Sequence, residues 1–221
     1  MNMEYTAEEL REIGNGFLET QYYKKALDFF NRSLEADSEN PETYVLRGIA
    51  WFEIRKDENA INDFLKAITL DPDNHNAFGR LGDIYFLQAD HDTAEVYFEK
   101  ALALEPDSLH NLFQLSAIKI NLNKFEACIE ICTGVLNEHP AEKWALQFRG
   151  FAFLKKCQYD NSLKDYLKLG QEDKQNALVY NDIGFVYTQI GNLAEARHFL
   201  DIALSLSPYD AYALNNLGLV N

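Results

Sequence analysis

Glycine stands at positions 14, 48, 82, 150, 184 and 218, always 34 residues or a multiple of 34 apart, and Ser116 fills the one gap in the series. A fixed period of this length constrains the fold more than any other feature. It marks a solenoid in which each repeat is one supersecondary unit stacked on the next. Other columns follow the same period without insertion or deletion. Twelve residues after each glycine position come Ala26, Ala60, Ala94, Cys128, Ser162 and Ala196, all small. Four residues further on come Phe30, Phe64, Phe98, Cys132, Tyr166 and Leu200, and prolines at 72, 106, 140 and 208 close four of the repeats.

Within a repeat the residues predict two helices. Phe78, Leu81, Tyr85 and Phe86 recur at spacings of three and four, as do Ala94, Tyr97, Phe98 and Ala101. That spacing places each set on one face of a helix. The polar break Ala89-Asp90-His91-Asp92 separates them. The residues before each repeat are Thr6, Asn40, Asn74, Ser108, Glu142, Asn176 and Asp210. All but Glu142 carry side chains suited to capping free helical N–H groups, and Thr6 with Glu9 has capping-box spacing. Glycine inside a helix costs about 1 kcal/mol relative to alanine. The repeated glycine therefore predicts a close helix approach, with the small Ala, Ser and Cys column facing it. In the fifth repeat Lys174 replaces the closing proline, and Gly170 is expected to end the second helix as a left-handed cap.

The third repeat reads Phe78, Leu81, Gly82, Tyr85, Ala94, Phe98, Ala101, Pro106, and the sixth Tyr180, Ile183, Gly184, Tyr187, Ala196, Leu200, Ala203, Pro208. This resembles the tetratricopeptide repeat. The resemblance implies an all-α fold, a right-handed superhelical α-solenoid of antiparallel helix pairs. The whole chain, 1–221, would be one solenoid with repeats at 7–40, 41–74, 75–108, 109–142, 143–176 and 177–210. Residues 211–221 would be a terminal half repeat or a truncated seventh.

Composition sets the class of partner. The formal net charge is -15, which argues against nucleic acid and anionic membrane surfaces, since both require clustered Lys and Arg. No stretch is long and apolar enough to span a bilayer, and the opening residues Met1 to Tyr5 lack a leader's basic flank and apolar run. Three cysteines do not make a disulfide framework. Cys128 and Cys132 fall in core columns and Cys157 at a turn, which points to a reducing, cytoplasmic compartment. The five histidines have no metal-ligand spacing, and no phosphate loop or nucleophile motif appears. The chain is therefore expected to be non-enzymatic, without metal or cofactor.

The resemblance also implies that the first helix of each repeat lines a concave groove through repeat positions 2, 5, 6, 9, 12 and 13. If that face only met water it would be polar. It instead carries Val45, Ile49 and Phe52, then Phe86, then Phe113, then Trp144, Phe148 and Phe151, then Phe185. Ala117, Ile120, Leu154 and Leu178 continue it. Contiguous exposed apolar surface marks interaction sites, with aromatic anchors as typical hot spots. The first repeats are acidic, with Glu8, Glu12, Glu19, Glu42 and Glu53. The expected partner is thus a peptide or helix of another protein, apolar and with basic residues. The family's basic clamp for a free C-terminal carboxylate would fall on Arg11, Asn15, Leu46, Asn76 and Arg80. Leu46 and Asn76 depart from it, replacing an amide and a lysine; the polar side chains among the five, Arg11, Asn15, Asn76 and Arg80, are the candidate polar groove contacts.

At the other end, Leu217, Leu219 and Val220 would be poorly covered. The chain is expected either to continue in a longer array or to dock onto another copy through this helix. Three functions follow. The first is a scaffold that captures a partner segment in the groove. The second is a self-assembling structural protein, joined through groove or C-terminal helix. The third is a regulatory region of a larger enzyme, or a carboxylate binder of the co-chaperone type.

Overall fold

The computed structural model describes residues 5–220; Met1 to Glu4, part of the segment read above for a leader, and Asn221 lie outside the described residues. The described residues form thirteen helices and no strand, an all-α solenoid of helix pairs. The first helices of the repeats are α1 (Ala7–Glu19), α3 (Pro41–Glu53), α5 (His75–Leu87), α7 (Leu109–Asn121), α9 (Lys143–Lys155) and α11 (Ala177–Ile190). Their partners are α2 (Tyr23–Ala36), α4 (Asp57–Leu70), α6 (His91–Leu104), α8 (Phe125–Glu138), α10 (Tyr159–Glu172) and α12 (Leu193–Leu206). A last helix, α13 (Ala211–Val220), follows. Two compact units are distinguished, one through Gln114 and one from Leu115. In each, consecutive helices pack together, as α1 to α6 do in the first and α8 to α13 in the second.

Local chemistry explains the helix ends. Thr6 Oγ1 accepts from Glu9 N–H at 3.2 Å while the Glu9 carboxylate accepts from Thr6 N–H at 2.8 Å, a complete capping box. Asn40, Asn74 and Asp210 accept from the N–H of Thr43, Ala77 and Ala213, each within 2.9 Å. Asn176 departs from expectation: its side chain makes no cap and donates to Asp173 at 3.4 Å. Gly170 also departs. It lies inside α10 rather than at its end. A methyl group there would touch Ile183 at 3.4 Å.

Each helix pair turns through one left-handed residue, and these too keep the period: Gln21, Arg55, Ala89, Asn123, Cys157 and Gly191, with φ between 56° and 88°. At each turn the next N–H reaches back to a carbonyl five residues earlier, as Asp90 does to Tyr85 and Asn192 to Tyr187. This is the Schellman arrangement that satisfies terminal helix carbonyls.

The glycine column packs differently from the expectation. What faces it is the large column sixteen residues on, and the small column only adjoins it. A β-carbon at Gly14, Gly48, Gly82 or Gly184 would lie 2.6–2.8 Å from Phe30, Phe64, Phe98 or Leu200. The four large residues are 0–1 % exposed. Only glycine leaves room for a side chain of that size between helices this close. At Gly150 the corresponding distance to Tyr166 is 3.3 Å, and at Gly218 nothing lies within 4 Å.

A second column pair alternates between two chemistries. Phe17 with Phe29, Tyr85 with Tyr97 and Tyr187 with Phe199 stack at centroid distances of 5.4, 5.5 and 5.6 Å. In the second and fifth repeats, Asp63 and Asp165 occupy the position of Phe29, Tyr97 and Phe199. There Arg47 and Arg149 stand where the third and sixth repeats have Leu81 and Ile183. Arg47 donates twice to Asp63, at 2.8 and 2.7 Å, and Arg149 twice to Asp165, both at 2.8 Å. The remaining guanidinium nitrogens donate to Asn31 and Thr133.

Candidate functional site

In a helix, residues three, four and seven apart share a face, so repeat positions 2, 6, 9 and 13 of each first helix form one stripe. In the first unit the residues expected on the groove do not share this stripe: Ile49 lies on it at position 9, whereas Val45 and Phe113 are at position 5 and Phe52 and Phe86 at position 12. Val45, expected on the groove, is buried in the core with Phe64, Leu81 and Ile84. Its place between α3 and its neighbours removes it from the surface. Ile49 and Phe52 are half-buried against the same cluster. Phe86 is half-buried with its ring 5.6 Å from that of His91, and Phe113 is exposed.

The expected polar contacts of the first unit divide into two groups. Arg11 lies 3.3 Å from Glu42 and 3.8 Å from Glu8, and Asn15 donates to Glu19 at 3.0 Å. Several of the acidic residues read as a surface for basic partners are therefore matched within the chain. Asn76 and Arg80 line a cleft of about 200 Å³ with His75, Asp83, His110 and Asn111. Asp83 is its electrostatic centre. Its Oδ1 lies 2.8 Å from His110 Nε2 and accepts from Gln114 at 3.2 Å, and its Oδ2 lies 3.5 Å from Arg80. The hydrogen bond to Asp83 raises the His110 imidazole above its usual value. His75, 2.9 Å from Glu105, completes the rim. Asn111 rests over Gly79, where a β-carbon would come within 3.0 Å of Oδ1. The cleft is polar and internally paired, and sequence reasoning found Asn76 and Arg80 but not the Asp83–His110–Gln114 bonds.

In the second unit the same stripe is apolar. On α9 it carries Trp144, Phe148 and Phe151; Trp144 and Phe148 meet edge to face at 6.0 Å. Phe151 packs edge-on to Phe125 at 6.5 Å, and Lys155 Nζ sits 5.1 Å from its ring centre. One repeat later, α11 presents Leu178, Asp182 and Phe185 at the corresponding positions. Leu178 is 54 % exposed; Asp182 and Phe185 are half-buried. Burial pushes the Asp182 carboxyl up to about 7. Asn181, its neighbour, is tied into the core, accepting from Asn216 at 2.8 Å. Sequence spacing points to Leu178 and Phe185 on this helix but not to Asp182, because a single acidic residue in an acidic chain carries no signal.

Cys128 and Cys132 are fully buried, with their sulfurs 3.9 Å apart, and Cys157 is exposed. Hydrogen bonding with Cys128 and burial both push the Cys132 thiol upward. Among the described residues no three His, Cys, Asp or Glu side chains are grouped to hold a metal ion, and no helix is long and apolar enough to cross a membrane.

Two sequence models described as tetratricopeptide repeat match the chain, one at residues 75–108 and one at 41–74 and 177–210. Among solved structures, the chain is similar to YrrB, a TPR protein with an unusual peptide-binding site. The TM-score is 0.78 at 20 % identity, over 84 % of this chain and 96 % of that one. It is similar to the C-terminal part of a TPR repeat-containing protein from Cytophaga hutchinsonii, with a TM-score of 0.79 at 15 % identity over 97 % and 89 %. The first TPR of Spaghetti (RPAP3), bound to the HSP90 peptide SRMEEVD, is 28 % identical with a TM-score of 0.52, over 53 % of this chain and 94 % of that one. Among curated proteins nothing matches.

Proposed function

Because the chain belongs to the tetratricopeptide repeat family, whose repeats generally serve as protein-interaction scaffolds, we propose that it is a non-enzymatic module that holds an apolar segment of a partner protein against its first helices. The observation that carries this reading is the aromatic stripe of the second unit: Trp144, Phe148 and Phe151 on α9, with Leu178 and Phe185 at matching positions on α11. The half-buried rings supply area at little entropic cost, as binding hot spots do. Ile49, Phe52, Phe86 and Phe113 extend the proposal to the first unit. The net charge of -15 favours basic proteins over nucleic acid or membrane as partners, and three cysteines without a disulfide suit a reducing cytoplasm.

The test is a pull-down from native lysate with wild type and a Phe151→Glu, Phe185→Glu variant of equal helicity. A partner held only by wild type supports the reading; identical captures count against it.

Capture of a free C-terminal carboxylate by Arg11, Asn15, Asn76 and Arg80 is the weaker reading, since Arg11 and Asn15 already face Glu42 and Glu19. Self-association through α13 has its own support. Of the three residues expected to be poorly covered, Val220 is buried with Ala196 and Leu200 and Leu217 packs against them, while Leu219 is exposed, as are Tyr212 and Leu214. Light scattering across a dilution series decides it: a mass that stays at twice the monomer's favours self-assembly.

A further inference from the structure

Asp182 stands out among the acidic residues. It occupies the middle of the α11 stripe, between Leu178 and Phe185, at the position that Phe148 fills one repeat earlier. Among the described residues its carboxylate has neither a hydrogen bond nor an ion pair, and burial is the sole cause of its raised pKa. The buried Asp63, Asp165 and Asp83 are matched, by Arg47, by Arg149, and by His110 and Gln114, whereas Asp57 Oδ1, at the start of α4, is likewise buried without a hydrogen-bond partner. Tyr166, 1 % exposed, senses Asp182 as a negative neighbour that raises its own pKa further. A half-buried carboxylate with no donor costs folding free energy. A cation placed against it from outside would find that cost already met by the fold.

We propose that Asp182 is the recognition residue of the second unit's apolar face, and that it pairs with the side chain of a lysine or arginine flanked by apolar residues in the docked segment. This rests on the reading above that a segment docks there, and it names that segment's chemistry. Apolar residues meet Trp144, Phe148, Phe151, Leu178 and Phe185, and a single basic side chain meets the one acidic group among them. The surrounding apolar area keeps water from competing for the pair, so the interaction selects strongly for charge. Specificity arises because a neutral segment would cover Asp182 and leave it unpaired.

The experiment pans a random-peptide phage library on the full chain, on Asp182→Asn and on the Phe151→Glu, Phe185→Glu variant. The consensus peptide is then synthesised with its basic residue intact or exchanged for norleucine. Calorimetric titration of both peptides against wild type and Asp182→Asn completes a double-mutant cycle. We expect wild-type selections to be enriched in Lys or Arg beside apolar residues. We also expect the norleucine exchange to weaken binding to wild type about tenfold or more and to leave binding to Asp182→Asn nearly unchanged. Peptides that require Phe151 and Phe185 but carry no enriched basic residue, or whose basic residue shows no coupling to Asp182, overturn the assignment and leave the docking face standing. Peptides indifferent to Phe151 and Phe185, or no selected peptide at all, overturn the docking face and the assignment with it.

Discussion

Ser116 Oγ lies 3.8 Å from Cys132 Sγ, and the two residues occupy the columns where neighbouring repeats place a glycine and an aromatic ring. Both are fully buried. The contact is thus conserved in volume rather than in residue type: a larger residue on the first helix is balanced by a smaller one on the second. Cys132→Phe alone should overpack this site and destabilise the protein by about 1–3 kcal/mol. Adding Ser116→Gly should return much of that loss. Urea melts of the two single variants and the double variant measure the coupling, and additivity would contradict the pairing.

Two glycines of one helix should respond in opposite directions. A β-carbon on Gly14 would lie 2.7 Å from the Phe30 ring, whereas one on Gly16 meets nothing within 4 Å. Gly14→Ala should cost about 1–3 kcal/mol through overpacking, and Gly16→Ala should gain about 1 kcal/mol from helix propensity. Thermal melts of the two variants, compared with wild type, check both signs at once.

The bidentate ion pairs are expected to matter through what their removal exposes. Asp165 is 3 % exposed, and Arg149 is its charge partner. Arg149→Ala should cost about 3–5 kcal/mol, because it strands a buried carboxylate. Arg149→Leu with Asp165→Tyr, which imports the packing of the third repeat, should cost much less. Chemical denaturation distinguishes the cases.

Asp182 gives the folded protein a pH dependence of definite sign. Its pKa in the fold, about 7, lies above its ordinary value of 3.8. Protonation therefore favours the fold. This contribution is fully present below about pH 4 and is lost as pH rises through about 7. Asp182→Asn should raise stability at about pH 8, by roughly 2–4 kcal/mol, and the advantage should vanish near pH 4. Melts of variant and wild type at matched pH isolate this group from the other carboxylates, and a pH-independent difference would show that Asp182 titrates normally.

Much of the architecture was legible in the sequence because a repeat displays each packing choice several times. The 34-residue period placed the first helices at residues 7, 41, 75, 109, 143, 177 and 211, where they begin. Capping side chains such as Thr6 and Asn74 are local devices, readable without neighbours. What lay opposite the glycines was not local. A one-dimensional column shows that position 82 must be small; it does not show that the Phe98 ring, rather than Ala94, requires it. Arg47 with Asp63 and Arg149 with Asp165 did leave a trace, as departures shared by the same two columns of the same two repeats. Each residue alone looked like an ordinary surface charge.

The sequence by itself determined the period, the helix pairs and the apolar character of the first-helix stripe, because these depend on spacing along one chain. Only the tertiary structure decided which of the first-helix residues expected on the groove remain available. Val45 is consumed by the core, Arg11 and Asn15 face carboxylates of their own chain, and Asp182 is left half-buried without a donor. Burial and pairing are sums over neighbours from other helices, and residue identity at one position does not contain them.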